Sequence, residues 1–446
     1  MDDFLIEHTT LARTFHQAQY HPSSPVLQPD QKWETGAMPF SGGIWHDPRD
    51  GLSKVWYQGV RKKAIAYATS RDGLHWEKPD PGIEPGTNIV HRFDHDTATI
   101  WLDLEERDPQ KRFKMTLTPY LRDVHRTISG MRLFFSPDGI HWSDSDAGVG
   151  WCLDRSTFFF NPFRKVWVYS IKWNLYGIDV AQSDGVLRPS EGVAGNPTGR
   201  FRGYREHPDL AAGLGWKLSR DPKTDSNHEF LNHFLSGPVV PWTGADFLDL
   251  LRNSGADTGS ISNLNKQPEL YNLDAVAYES LMLGLFNIFH GNDDGTPGSH
   301  EHMNDVTLGF SRDGFHWYRP DRRAFLPVSQ RRGDWNWTNV QSVGGGCLVV
   351  GDKLYFYATG RSPDRRTTGL ATLRRDGFAS LDAGTQTGTL VTRPVVFQGR
   401  HLFVNLDADT GEMRVEILSR GGQPIAPFTR ENCLPLQVNS TLQAVR

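Results

Sequence analysis

One seven-residue pattern recurs along this chain and restricts its fold more than any other feature. It reads Ser70-Arg71-Asp72-Gly73-Leu74-His75-Trp76, then Ser136-Pro137-Asp138-Gly139-Ile140-His141-Trp142, then Ser311-Arg312-Asp313-Gly314-Phe315-His316-Trp317, with a worn copy at Arg375-Asp376-Gly377-Phe378. Each copy follows a short apolar run, such as Ala66–Thr69 or Leu133–Phe135. The pattern describes a strand running into a tight turn, in which Asp accepts from the backbone and Gly takes a positive φ. The Asp falls at 72, 138, 313 and 376, at intervals of 66, 175 and 63 residues. Regular recurrence of one supersecondary unit is the mark of a repeat architecture. The long middle interval predicts one more unit carrying an insertion, with its closing strand near 201–216.

A second repeat fixes the count. Apolar strands begin at Gly43, Thr99, Thr157, Ala275 and Cys347, and each is followed by a partner strand, at 54–58, 112–117, 165–171, 281–290 and 353–359. A hairpin alone buries too little to be stable, and stacking around an axis supplies the missing core. Five hairpins with outer strands predict an all-β, five-bladed β-propeller over residues 1–384. Residues 1–35 are expected to close the ring, and an insertion is expected at about 185–267 in the third blade. After residue 385 the alternation in 388–397, 401–405 and 412–418 predicts a small β-sandwich-like C-terminal domain. The 14 Trp, 25 Phe, 12 Tyr, 44 Gly and 27 Pro suit strands and turns better than helices.

Charge and cysteine usage exclude several classes. A net charge of −4 gives no basic surface for nucleic acid or an anionic membrane. The longest apolar stretch, 281–289, is too short to span a bilayer as a helix. Cys152, Cys347 and Cys433 stand singly, so neither a disulfide framework nor a zinc site is expected, and no cofactor. The first eight residues lack the basic and apolar regions of a signal peptide, which predicts a cytoplasmic protein.

Five blades, the Ser-x-Asp-Gly-x-x-Trp turns and a β-rich C-terminal appendage resemble the clan of glycoside hydrolase families 32, 43, 68 and 117. The lead-in Phe15-His16, His21-Pro22, Pro25-Val26-Leu27 and Trp33-Glu34 looks closest to family 32-like proteins. The resemblance implies a glycosidase with carboxylates at the inner ends of the first strands, pointing into a central funnel, and a carbohydrate as its partner.

Registering the five first strands on their apolar residues, without gaps, places Phe40, Asp96, Asp154, Asn272 and Gly344 at equivalent positions. Asp96 and Asp154 are thus candidate catalytic carboxylates on adjacent blades, as glycoside hydrolysis requires. Asp96 is expected to orient substrate and Asp154 to act as the acid or its partner. The resemblance implies a first-blade Asp, but Phe40 stands there. Glu34 is the nearest substitute and is expected to be the base or nucleophile. His95 is a lesser candidate. Phe40, Arg155, Glu269, Asn272, Asp274 and Trp337 are candidate sugar-binding residues, and Arg155 is expected to pair with Asp154. The hairpin-turn residues Asp47, Asp103, Asn161 and Glu279, and the His of each repeated turn, read as structural. The expected activity is exo-acting hydrolysis of a furanoside or other small terminal sugar. Three alternatives stay open: a phosphorylase using Arg202, Arg205 and His207, a non-catalytic carbohydrate-binding propeller, and a protein-binding scaffold.

Overall fold

The computed structural model describes residues 3–119, 129–176, 178–179, 188–189, 197–216, 239–249, 268–291, 303–329, 331–337, 339–362 and 365–446. Most of the expected third-blade insertion lies outside the described residues. The chain divides into two compact units, one of Ala18–Leu348 with Tyr355–Thr372, the other of Met1–Gln17, Val349–Leu354 and Leu373–Arg446.

The larger unit is a five-bladed β-propeller. From the axis outward, blade 1 is Ile44–Asp47, Leu52–Val60, Ala64–Ser70 and Ile89–Arg92. Blade 2 is His95–Leu102, Phe113–Pro119, Ser129–Ser136 and Ser143–Asp144. Blade 3 is Thr157–Asn161, Val166–Tyr176, Pro197–His207 and Val240–Gly244. Blade 4 is Glu269–Tyr278, Leu281–Gly291 and Met303–Ser311, with Tyr318 bridging Phe310 at its edge. Blade 5 starts from Asn339–Ser342, continues through Lys353–Ser362 and Arg365–Arg374, and is closed by Gln19–Tyr20 from the N-terminal part of the chain.

Aromatic and aliphatic side chains between blades supply the core a lone blade lacks. Trp56, Ile65 and Tyr67 of blade 1 pack on Ile100, Phe113 and Met115 of blade 2. Tyr57 and Ala66 meet Tyr357 and Leu370 of blade 5. Burying each large side chain fully contributes about 1.5–3 kcal/mol, so the ring depends on all its interfaces together.

The repeated turns latch these interfaces. In all three copies the Gly N–H donates to the Ser Oγ at 2.8 Å, and the His Nδ1 lies 2.7–2.8 Å from the Asp Oδ2. A side chain from the preceding blade then donates to a turn carbonyl. Trp56 Nε1 bonds Gly139 O at 2.7 Å, Asn161 Nδ2 bonds Asp313 O at 2.7 Å, and Tyr357 Oη bonds Gly73 O at 2.8 Å. The motif is therefore a blade-to-blade connector.

In the smaller unit Ile6–Thr9 pairs with Leu390–Thr392, Ala12–Phe15 with Ala379–Asp382, and Phe403–Asp407 with Asn439–Ala444. The first two N-terminal strands thus serve these ribbons, and Gln19–Tyr20 alone among the N-terminal strands joins the ring. No helix among the described residues is long and apolar enough to cross a membrane.

Candidate functional site

Asp96 and Asp154 meet. Asp96 sits at an irregularity in the inner strand of blade 2, where the pairing register shifts between His95 and Thr97. Asp154 lies just before the inner strand of blade 3, and its carboxyl is within hydrogen-bonding reach of Asp96. Each carboxylate has its own ammonium. Lys62 Nζ is 2.8 Å from Asp96 Oδ1, and Lys172, on the second strand of blade 3, bonds Asp154 Oδ1. The Lys172 side chain is 5% exposed and that of Asp154 is 36% exposed, so the pair has a dry cation and an open anion.

Burial pushes the Asp154 carboxyl upward, but Lys172, the hydrogen bond with Asp96 and the charge of Arg155 outweigh it and hold the group below the usual carboxylate range. Asp154 is therefore ionised at neutral pH, and the role of general acid expected for it does not fit. Burial also lowers the Lys172 ammonium below its ordinary value, with the Asp154 charge opposing.

Tyr271 is the hub of the cluster. The inner strand of blade 4 has a register shift between Leu270 and Asn272, which turns Tyr271 out of simple alternation. Lys172 Nζ lies 5.2 Å and the Arg200 guanidinium 5.5 Å from its ring centroid. Burial and the charge of Asp154, opposed by Arg155, push its phenol up to about 12. Arg200 in turn bonds Glu269 Oε2 at 2.6 Å, which places Glu269 in the same charged assembly.

Arg155 adopts φ +58, and its N–H donates to Thr97 Oγ1 at 3.0 Å, tying blade 3 to blade 2. Its guanidinium does not bond Asp154 as expected, because Lys172 takes that place. It stacks on the ring of Phe40, 4.8 Å from the centroid, so the first-blade position is filled by an aromatic lid on a cation. Phe40 is itself half-buried at φ +49, with its N–H on Thr359 Oγ1.

Other expected site residues are committed elsewhere. Glu34 has a fully buried side chain that accepts from Tyr57 Oη at 2.6 Å, from Lys78 Nζ at 2.8 Å and from the N–H groups of Asp30 and Gln31. Its lone pairs are occupied and it is sealed from solvent, so it does not replace the missing first-blade Asp. Asn272 and Asp274 are buried in a network with Ser41 and Ser342: Asp274 Oδ2 accepts from Ser41 Oγ at 3.1 Å, Asn272 Nδ2 at 3.0 Å and Ser342 Oγ at 2.6 Å. These bonds tie the inner strands of blades 1, 4 and 5 across the axis, so the two residues hold the ring rather than a sugar. Trp337 is 3% exposed and packs near the Arg332 guanidinium, which removes it as a stacking platform. His95 is buried with Nδ1 on Phe93 O, and desolvation lowers its pKa, so it is a neutral core residue.

The phosphate cluster does not form. Arg202 is fully buried and donates to Ser170 Oγ and to the carbonyls of Arg155 and Ser170, Arg205 donates to Gly213 O, and the exposed His207 bonds Asp209 O. Among the turn residues, Asp47 binds Arg112 and Lys54, Asp103 binds Lys114, and Asn161 latches blade 4. Sequence reasoning missed Lys62, Lys172, Arg200 and Tyr271. One signal was present: Lys172 is a lone cation in the apolar strand Val166–Ile171 and Trp173, where a charge needs a buried partner. Among the described residues, no group of three or more His, Cys, Asp or Glu side chains is placed to hold a metal.

No family model matches this sequence, and no curated protein matches it. Solved structures similar to it include a thermostable family-43 glycoside hydrolase, at 12% identity and a TM-score of 0.43, covering 79% of this chain and 97% of that one. An exo-1,5-α-L-arabinanase from a bovine ruminal metagenomic library aligns at 12% identity and 0.41, covering 79% and 98%. A Penicillium chrysogenum α-L-arabinanase complexed with arabinobiose aligns at 8% and 0.39, covering 81% and 99%.

Proposed function

We propose that this protein is a glycosidase acting at a chain end, on a furanoside or other small terminal sugar held in the propeller funnel. The observation that carries the reading is Asp154: an ionised carboxylate, open to the funnel, backed by a dry ammonium and braced by a second carboxyl from the next blade. Such preorganised charge stabilises an oxocarbenium-like transition state.

Carboxyl groups that flank a glycosidic bond stand about 5–10 Å apart, so two in hydrogen-bonding contact act as one unit. Asp154, positioned by Asp96, is the water-activating or nucleophilic carboxylate. Glu269 is ion-paired with Arg200, whose guanidinium packs on the same Tyr271 ring as Lys172, so it is a positioning carboxylate and not the proton donor. Asp154 takes one proton from a water whose oxygen bonds the anomeric carbon as the glycosidic C–O bond breaks, the leaving oxygen takes a proton from solvent, and Asp154 then returns its own to solvent. The family-32 leaning loses its footing here, because Glu34 is sealed and Phe15 belongs to a ribbon of the smaller unit.

A panel of aryl and alkyl glycosides and oligosaccharides, with and without phosphate, tests the reading. Asp154→Asn is expected to lose about 10²–10⁴-fold in turnover with the fold intact by circular dichroism. Glu269→Gln is expected to weaken sugar binding by leaving the Arg200 guanidinium without its anion, with a smaller effect on turnover at saturating substrate. An Asp154→Asn variant that keeps most of the wild-type rate refutes the assignment. A second reading, a non-catalytic sugar-binding propeller, is favoured by one observation: Asp96, Asp154 and Glu269 are all ion-paired while Phe40 replaces the first-blade carboxylate. Sugar binding without turnover across the panel would select it.

A further inference from the structure

The glycosidase chemistry leaves one charged group of the funnel unused. Arg155 is 3% exposed, and Nε, Nη1 and Nη2 are all buried without a hydrogen-bond partner among the described residues. A guanidinium carries five N–H donors and cannot shed its charge, so leaving all of them unmet in a dry setting is costly unless a ligand accepts from them. The neighbouring cations are otherwise engaged. Lys62 bonds Asp96, Lys172 bonds Asp154, Arg200 bonds Glu269, and Arg202 is saturated by Ser170 and backbone carbonyls. Arg155 reaches Asp154 and Tyr271 through space only.

The geometry also restricts the ligand. Phe40 covers one face of the guanidinium at 4.8 Å and is itself half-buried. With that face blocked, approach is in the plane of the fork, where two parallel N–H groups match the two oxygens of a planar carboxylate. The site already holds carboxylates satisfied by their own cations, so the missing acceptor has to arrive with the substrate.

We propose that Arg155 binds the carboxylate of an acidic sugar, making the funnel selective for a uronic acid terminus, with Phe40 as the ring that turns aside to admit it. This rests on the reading of the funnel as a sugar site and names the class of sugar it takes. Asp154 lies beside Arg155 in sequence, so the carboxylate of a bound uronate sits next to the reacting centre.

The test is calorimetric binding of matched pairs: methyl glucuronoside against methyl glucoside, methyl galacturonoside against methyl galactoside, and the corresponding furanosides, with inorganic phosphate as competitor. At least one uronate is expected to bind about tenfold or more tightly than its neutral partner, with the preference shrinking as salt rises. Arg155→Gln is expected to erase the preference and Arg155→Lys to keep part of it, both with native circular dichroism. Equal affinities within every pair, no uronate binding at all, or a preference that survives Arg155→Gln overturns the proposal. Phosphate competing as strongly as the uronate, through Arg155, overturns the carboxylate assignment in favour of a phosphorylated sugar. Uronate binding that depends on Arg155 without any turnover sinks the glycosidase reading and leaves this inference standing. Turnover of neutral glycosides with no uronate preference in either binding or rate does the reverse.

Discussion

Replacing Gly139 by Ala should destabilise the propeller far more than the same change at Gly82, and the structure says by how much. Both glycines have positive φ, +82 and +78, a region that costs an L-residue about 1–2 kcal/mol. Around Gly82 a new Cβ meets nothing within 4 Å. At Gly139 it would lie 2.4 Å from Cζ2 of Trp56, a side chain that is fully buried and whose Nε1 donates to the Gly139 carbonyl. Overpacking of that kind costs about 1–3 kcal/mol, and displacing the indole from its acceptor about 1 kcal/mol more. Gly139→Ala should therefore cost about 3–6 kcal/mol against about 1–2 for Gly82→Ala. Urea unfolding followed by tryptophan fluorescence measures both. Trp56→Phe in the Gly139→Ala background should recover part of the loss, because the smaller ring makes room; a coupling of about 1–3 kcal/mol is expected from the cycle. Equal stabilities for the two alanine variants, or no coupling with Trp56, would refute the idea that the repeated turn is a blade-to-blade latch.

Three further outcomes follow from the same contacts. Asp47→Asn should cost about 3–5 kcal/mol, because it leaves the buried Arg112 without its anion and Lys54 with Asp50 alone. Burial raises the Asp47 carboxyl but Arg112 and Lys54 pull it well below the usual range, so its contribution is present above the unfolded-state carboxylate pKa, fades as pH falls below about 4, and is absent from the variant's acid-unfolding curve. Glu34→Gln should lower the melting temperature, because the nearly buried Lys78 keeps only Asp30 as its anion and Tyr57 loses a charged acceptor, yet leave kcat within about twofold; a large kcat loss would return Glu34 to the site. Lys172→Met should raise the acid limb of the kcat/KM profile, since Asp154 loses the cation that opposes its burial; an unmoved limb would detach Asp154 from the rate.

The blade count was legible before any coordinates, because its signals are local. Ser, Asp, Gly and His of each turn satisfy one another within seven residues, so the motif means the same thing wherever it occurs. The same locality identified Asp47, Asp103 and Asn161 as turn residues. What a gapless register misses is irregularity: the shifts at Asp96 and Tyr271 re-aim those two side chains, and nothing in the residue pattern distinguishes a bulge from regular alternation there.

Charge pairing was decided by tertiary structure alone. Lys and Arg reach several ångströms from their own strands, and a carboxylate 18 or 69 residues away is as accessible to them as a neighbour. Nothing in sequence order said that Lys172 rather than the adjacent Arg155 would neutralise Asp154, or that Glu34 would be sealed against Lys78. Those pairings set which carboxylate stays ionised, which is buried for good, and which guanidinium is left without an acceptor. The order of residues fixed the ring because turns and strands are short-range objects. The chemistry at its centre was fixed only when five blades brought distant charges into one low-dielectric space, where the identity of the nearest opposite charge decides protonation.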